Sequence, residues 1–239
     1  MVKKRIVFTG GSGRVGQTLR KNFDKSKFDI LFPTSKTLDI LNEKKIRKYL
    51  ILKKPKYLIH AAALSRPMNL HDKYISKSID TNIIGTANIT KICLELSIKL
   101  IFISTSYVYP GDTGNYKEND PIRPINNYGL SKMGGEAAVQ MYKNSLILRA
   151  SMTEKPFIHK KAFNDFITNF IYHEDFIKLL LKLLDQKGIV NIGGKPQSVL
   201  NFAKSKNIKV KSISAKKILG KDAKINLGMN INKILKIIK

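Results

Sequence analysis

The stretch VFTGGSGRVGQTL, Val7 to Leu19, sets four glycines in seven residues between an apolar run and an amphipathic one. Gly10, Gly13 and Gly16 carry the spacing G-x-x-G-x-x-G, directly after a predicted strand (RIVFTG, 5–10) and directly before a predicted helix (RVGQTLRKNF). Glycines so placed let the chain turn tightly, let its amides approach a pyrophosphate without side-chain obstruction, and aim a helix N-terminus at negative charge. Two rival readings fail on single residues. A phosphate-binding P-loop needs lysine where Gln17 stands. A nucleophile elbow needs glycine where Arg14 stands. A tight strand-to-helix turn without a ligand is the remaining alternative.

Working outward, short apolar runs alternate with helical patterns. RIVFTG, FDILF (28–32), YLIHAA (57–62), LIFIST (100–105) and SLILRA (145–150) read as strands whose near-continuous apolarity suits a sheet buried on both faces. Between them NEKKIRKYLILK, with Asn42 as N-cap, a long pattern from about Asp72 to Ile98, and YGLSKMGGEAAVQMY read as helices. This alternation predicts an α/β fold, a Rossmann-type doubly wound parallel sheet over residues 1–150. Beyond Ala150 the rhythm changes: an irregular stretch, a helix (HEDFIKLLLKLLDQ), a strand (GIVNIGG), a helix from about Ser198 and the tail NINKILKIIK. Residues 151–239 read as a small, shortened C-terminal substrate lobe packed over the C-terminal edges of the sheet, where ligands bind in such folds.

The 239 residues carry 44 Lys and Arg against 17 Asp and Glu, a formal charge of +27. Only seven of the basic residues are Arg, the type suited to base edges and bidentate phosphate contacts, and the lysines are spread along the chain rather than grouped. The charge therefore reads as a Lys, Ile and Asn bias on solvated faces, with no specific nucleic-acid partner, and it favours an anionic substrate. No run approaches the roughly 18 apolar residues of a membrane span, and MVKKRIVFTG runs into a turn rather than a signal-peptide core. The lone Cys93, inside a helical pattern, can form no internal disulfide. A cytoplasmic location is expected. His60, His71, His159 and His173 lack metal-ligand spacing, so no metal is expected.

A second constellation lies in YGLSK, where Tyr128 and Lys132 stand four residues apart and share a helix face. A phenol is a weak acid at neutral pH, and a nearby ammonium lowers its pKa by favouring phenolate. FISTSYVYPG leaves a strand so that the Thr105 hydroxyl sits at the sheet's C-terminal edge, beside the glycine loop. Arg66, in LSRP beyond a strand end, is a candidate contact for a substrate phosphate.

With TGGSGRVG, LDI around Asp39, HAAALSRP, TNIIGTANI, STSYVYPG, NNYGLSKMGGE and LILRAS in this order, the chain resembles the extended short-chain dehydrogenase/reductase family. Within it the resemblance is to the dTDP-4-dehydrorhamnose reductase-like and related nucleotide-sugar enzymes, well over residues 4–150 and weakly beyond. The resemblance implies an NAD(P) site formed by Gly10, Gly13, Arg14, Val15 and Gly16, by Asp39 and Ile40 near the adenine, and by Ala61, Ala62 and Ala63 along the adenosine side. It implies a catalytic set of Thr105, Tyr128 and Lys132, with Tyr128 donating a proton to a keto oxygen and Thr105 hydrogen-bonding that oxygen. Lys132 would bond the nicotinamide ribose, and Asn82 would hold local helix geometry or a relay water. Arg66, Thr105 and Ser106 fall on the substrate side. Ser106 and Tyr107 replace the Asp-Glu pair typical of the family's dehydratases, which argues against 4,6-dehydration. The implied activity is 4-keto reduction of a nucleotide-linked sugar. An epimerase and a non-catalytic NAD(P)-binding regulator are the alternatives, and a homodimer is compatible with the pattern.

Cofactor choice follows from the second strand. NAD-specific sites end that strand with a carboxylate that takes the ribose 2′-hydroxyl. Here Asp29 comes too early, Pro33, Thr34 and Ser35 are uncharged, and Lys36 follows, with Arg14 on the other flank. NADP is the expected cofactor, with NAD the competitor.

Overall fold

The computed structural model describes residues 3–206 and 208–239. Strands β1 (Lys4–Thr9), β2 (Phe28–Leu31), β3 (Tyr57–His60), β4 (Lys99–Thr105), β5 (Ser145–Ala150) and a sixth strand, Gly188–Ile192, form one sheet. All its pairings are parallel, in the order β2, β1, β3, β4, β5, sixth strand. The order reverses between β1 and β3, which opens a crevice at their C-terminal ends.

Each strand feeds two cores because successive side chains point to opposite faces. Ile6, Phe8, Ile59, Ile101, Ile103, Leu146 and Leu148 join one cluster, together with Leu19 of α1 (Arg14–Asn22), Phe176 and Leu180 of the helix His173–Lys182, and Ile234 of the helix Asn232–Ile238. Val7, Leu58, Leu100, Phe102 and Ile147 join the other, with Ile46 and Leu50 of α2 (Glu43–Lys53) and Ile89 and Ile92 of the helix Gly85–Glu95. Asn42 caps α2, its side-chain oxygen accepting the Lys45 N–H at 3.0 Å. The unbroken apolar runs of the sequence are thus strands covered by helices on both sides. No helix among the described residues is long and apolar enough to cross a membrane.

Two expectations from the sequence need correction. The helix expected from about Asp72 to Ile98 is segmented into turns at Leu70–Lys73 and Ile75–Ser78, a π-helical stretch Ile79–Ile84, and an α-helix Gly85–Glu95. Tyr74, at φ −127° and ψ 61°, separates the first two turns, and the π stretch serves Asn82. Asn82, 1% exposed, accepts from the Leu64 amide at 2.8 Å and donates to the Leu64 carbonyl at 2.9 Å and to Ser131 Oγ at 2.8 Å. One widened turn delivers that amide to the neighbouring loop.

The boundary at residue 150 is crossed twice. Gly188–Ile192 pairs with β5 in the main sheet, and the helices His173–Lys182 and Asn232–Ile238 pack into its first core. The small lobe is therefore built from the remaining stretches, around a cluster of Phe157, Ala162, Tyr172, Val199, Leu200, Phe202 and Ala203. Beneath the junction Arg149, 2% exposed, meets Glu136, 0% exposed, at 2.8 Å, and donates to Tyr109 Oη at 2.9 Å. Tyr109 in turn donates to Asn191 of the sixth strand at 2.8 Å.

Candidate active site

Above the β1/β3 switch point lies a cleft of about 800 Å³ lined by the glycine loop, the segment after β2, Asp39 and Ile40, Ala61–Ala63, Arg66, Thr105, Ser106, Tyr128 and Lys132. Each of these was singled out from the sequence, and the fold brings them to one place. Val15 also lines it; Lys36 and Asn82 do not. Lys36 is exposed on the turn after β2, and Asn82 acts one layer back through the hydrogen bonds just described.

The floor is built for close backbone approach. Gly10 adopts φ +78°, and a Cβ there would stand 2.7 Å from the Ala62 amide nitrogen. Gly13 donates its N–H to the Gly10 carbonyl at 2.9 Å and begins α1 with no side chain capping the first turn and no acidic residue in it. The first amides of α1 therefore face the cleft, an arrangement that suits a phosphate. A Cβ on Gly13 would meet only the Gly10 carbonyl oxygen, at 3.2 Å, so the space its side chain would take belongs to the cleft. These features fit a dinucleotide's pyrophosphate.

His60 secures the wall. Its Nδ1 lies 2.8 Å from Thr9 Oγ1 and its Nε2 3.1 Å from Thr86 Oγ1. Burial, helped by the Lys132 charge, lowers its pKa to about 3, so the ring is neutral at ordinary pH. Thr9 Oγ1 also accepts the Ala62 amide at 3.3 Å, which fixes the start of the alanine run.

At the other end β4 ends at Thr105 and the helix Asn127–Gln140 presents Tyr128 and Lys132. Asn126 caps that helix on the Gly129 amide at 2.8 Å. Burial raises the Tyr128 pKa, while the neighbouring Thr105 hydroxyl and the charge of Arg66 work in the opposite direction. Lys132, 3% exposed, is lowered to about 7 by burial, with Glu136 opposing. Its Nζ stands 4.0 Å from the centre of the Phe102 ring. Arg66 is thus a second cation, besides the Lys132 that the sequence offered, whose charge favours the ionised form of Tyr128.

Several cleft residues escaped the sequence reading. Arg20 and Phe32 line its outer end, and Met152, Phe170 and His173 come from beyond β5. Glu154 reaches Arg14 Nε at 2.8 Å and Arg66 at 3.5 Å. Burial works against ionisation of Glu154, yet its own backbone amide, then Arg66 and Arg14, hold the carboxyl below its ordinary range. No motif frame includes these positions.

Comparison with known proteins agrees with this architecture. The chain is 28% identical over 191 residues to a dTDP-4-dehydrorhamnose reductase of Aggregatibacter actinomycetemcomitans, covering 79% of this chain and 60% of that protein. It is 29% identical over 154 residues to methionine adenosyltransferase 2 subunit beta of Xenopus laevis, covering 61% of this chain and 46% of that one. It thus spans less than two thirds of the length of either curated relative. In three dimensions it is similar to a crystal structure of dTDP-4-dehydrorhamnose reductase from Bacillus anthracis in complex with NADP, with a TM-score of 0.86, 24% identity and coverage of 99% of this chain and 92% of that one. The family model described as RmlD substrate binding domain matches residues 4–191, and the chain belongs to that family.

Proposed function

We propose that the protein is an NAD(P)-dependent oxidoreductase that reduces the 4-keto group of a nucleotide-linked sugar, with NADP as the preferred cofactor and NAD as the competitor. The observation that carries this reading is the convergence of Thr105, Tyr128 and Lys132 on the cleft whose other end is the bare-backbone cradle at Gly10, Gly13 and Gly16. A module that only binds a dinucleotide has no use for a partly buried phenol beside a threonine hydroxyl. The similarity to dTDP-4-dehydrorhamnose reductases supports the same chemistry.

Gly10, Gly13, Gly16 and the first turn of α1 would hold the pyrophosphate, Asp39, Ile40 and Ala61–Ala63 the adenosine, and Lys132 the ribose nearer the reacting carbon. When bound, the dinucleotide supplies the hydride. Tyr128 donates its hydroxyl proton to the keto oxygen as that oxygen gains charge, and Thr105 hydrogen-bonds the same oxygen. Arg66 lowers the cost of the phenolate left behind. Arg66 and Ser106 face the substrate's side, and the small lobe closes over it. The buried free thiol of Cys93 supports a reducing, cytoplasmic setting.

Tyr128→Phe tests the reading. NADPH binding measured by calorimetry should persist while reduction of a dTDP-linked 4-keto-6-deoxy sugar falls by about two orders of magnitude. Full turnover in the variant would remove the tyrosine from its role.

A further inference from the structure

The two cations that the sequence offered for a 2′-phosphate are not free at the adenosine end of the cleft. Arg14 is paired with Glu154 at 2.8 Å, and Lys36 lies outside the lining. A third basic residue occupies that end. Arg20 reaches from α1 past Gly11 to Phe32, the residue that follows β2. Its guanidinium carbon lies 4.1 Å from the centre of the Phe32 ring, and its Nη2 donates to the Phe32 carbonyl at 3.4 Å. Gly11 makes room: a Cβ there would stand 3.2 Å from that nitrogen and 2.9 Å from Phe32 Cβ. None of the ion pairs among the described residues involves Arg20. The acid of β2, Asp29, is taken by Arg5 at 2.7 Å.

A dinucleotide whose pyrophosphate rests on the start of α1 extends its adenosine toward the end of β2. The group found there reads the ribose 2′ position: a carboxylate accepts a hydroxyl, a cation takes a phosphate. A guanidinium held over an aromatic ring is a preorganised fork for phosphate oxygens. Thr34 and Ser35 bring two hydroxyls to the same rim of the cleft.

We propose that Arg20, held at the end of β2 over the Phe32 ring, is the residue that selects a 2′-phosphorylated dinucleotide, with Thr34 and Ser35 completing the seat. This inference rests on the dinucleotide reading of the cleft and names the determinant of its cofactor specificity, distinct from the residues the motifs supplied.

The test is calorimetric titration with adenosine 2′,5′-bisphosphate and adenosine 5′-monophosphate, which requires no turnover. The unaltered protein should bind the bisphosphate about tenfold or more tightly than the monophosphate, as expected for charge-assisted hydrogen bonds to the extra phosphate. Arg20→Gln should remove that preference while leaving monophosphate affinity within about twofold, and Arg20→Lys should restore part of it, because a point charge replaces the fork. Unchanged bisphosphate affinity in Arg20→Gln, or equal loss of both probes, would overturn the assignment while the dinucleotide reading stands. Loss of the preference in Lys36→Gln with Arg20→Gln unaffected would return the role to the lysine. Failure of both probes to bind the unaltered protein would overturn the dinucleotide reading and this inference together.

Discussion

Glu154, beyond β5, and Arg14 of the glycine loop form an ion pair, with carboxylate oxygen and guanidinium nitrogen 2.8 Å apart. The other carboxylate oxygen is 3.5 Å from Arg66, so one acid spans the glycine loop and the loop after β3. Arg14 and Arg66 are about half and a third exposed, and such pairs contribute about 1 kcal/mol or less to stability. The acid's larger effect is on potential. Glu154→Gln should leave the thermal midpoint nearly unchanged and raise affinity for inorganic pyrophosphate at low ionic strength, with the gain fading as salt is added. Calorimetry at two salt concentrations checks both halves.

Two glycines of one motif should fail in different ways. Gly13→Val leaves the fold intact, because a Cβ at that position meets only one carbonyl oxygen, at 3.2 Å, but it fills the phosphate space and should abolish NADPH binding. Gly16→Val drives a side chain into the Gly11 backbone, 2.6 Å from its Cα, and should lower the melting temperature whether or not ligand is present. Thermal melts with and without NADPH separate the outcomes.

Lys132 makes the ligand-free protein pH-sensitive. Its pKa is lowered by burial from 10.5 to about 7, so the unfolded chain holds this proton while the folded chain releases it. Stability from this group rises with pH between those two values and is lost as pH falls through about 7. Lys132→Met, which no longer buries an ammonium, should melt higher than the unaltered protein at pH 6, and the gap should shrink toward pH 10. A gap independent of pH would mean that the lysine escapes desolvation.

Glu136→Ala leaves the Arg149 guanidinium buried without its bidentate partner, which should cost about 3–5 kcal/mol in denaturant titration. The double change Glu136→Leu with Arg149→Met should recover much of that loss, since it removes both charges at once.

Most of the site was legible because it is local. The glycine spacing, the Tyr128–Lys132 interval and Thr105 at a strand end are each confined to a few residues, and the parallel sheet carries all of them to one edge. What the chain order hid is long-range. GIVNIGG reads as a strand, but nothing local says that it pairs with β5 rather than within the lobe, since that choice depends on register between distant residues. The π-helical turn is invisible to a 3.6-residue period, because it is set by the fit of Asn82 to Leu64. Arg20 lies beyond the third glycine, where the motif stops, and acquires meaning only when Phe32 is brought beneath it.

The small lobe leaves and re-enters the sheet body through narrow necks. At one, Ile171 donates its amide to the Ser151 carbonyl at 3.2 Å; at the other, Asn191 donates its side-chain amide to the Asn230 carbonyl at 3.2 Å. Each insert, 152–170 and 193–229, therefore begins and ends at nearly the same point, the condition under which a segment is exchanged without disturbing its host. A cut at Ala150 has the opposite consequence: it strips the sixth strand from β5, whose six residues are all buried, and leaves a bare apolar edge open to other chains. The two inserts pair with each other, Lys211–Ile213 with Lys161–Phe163 and Gln197–Ser198 with Ile167–Thr168, so they exchange as one unit, while the sheet itself is complete once the sixth strand is in place, before the second insert begins.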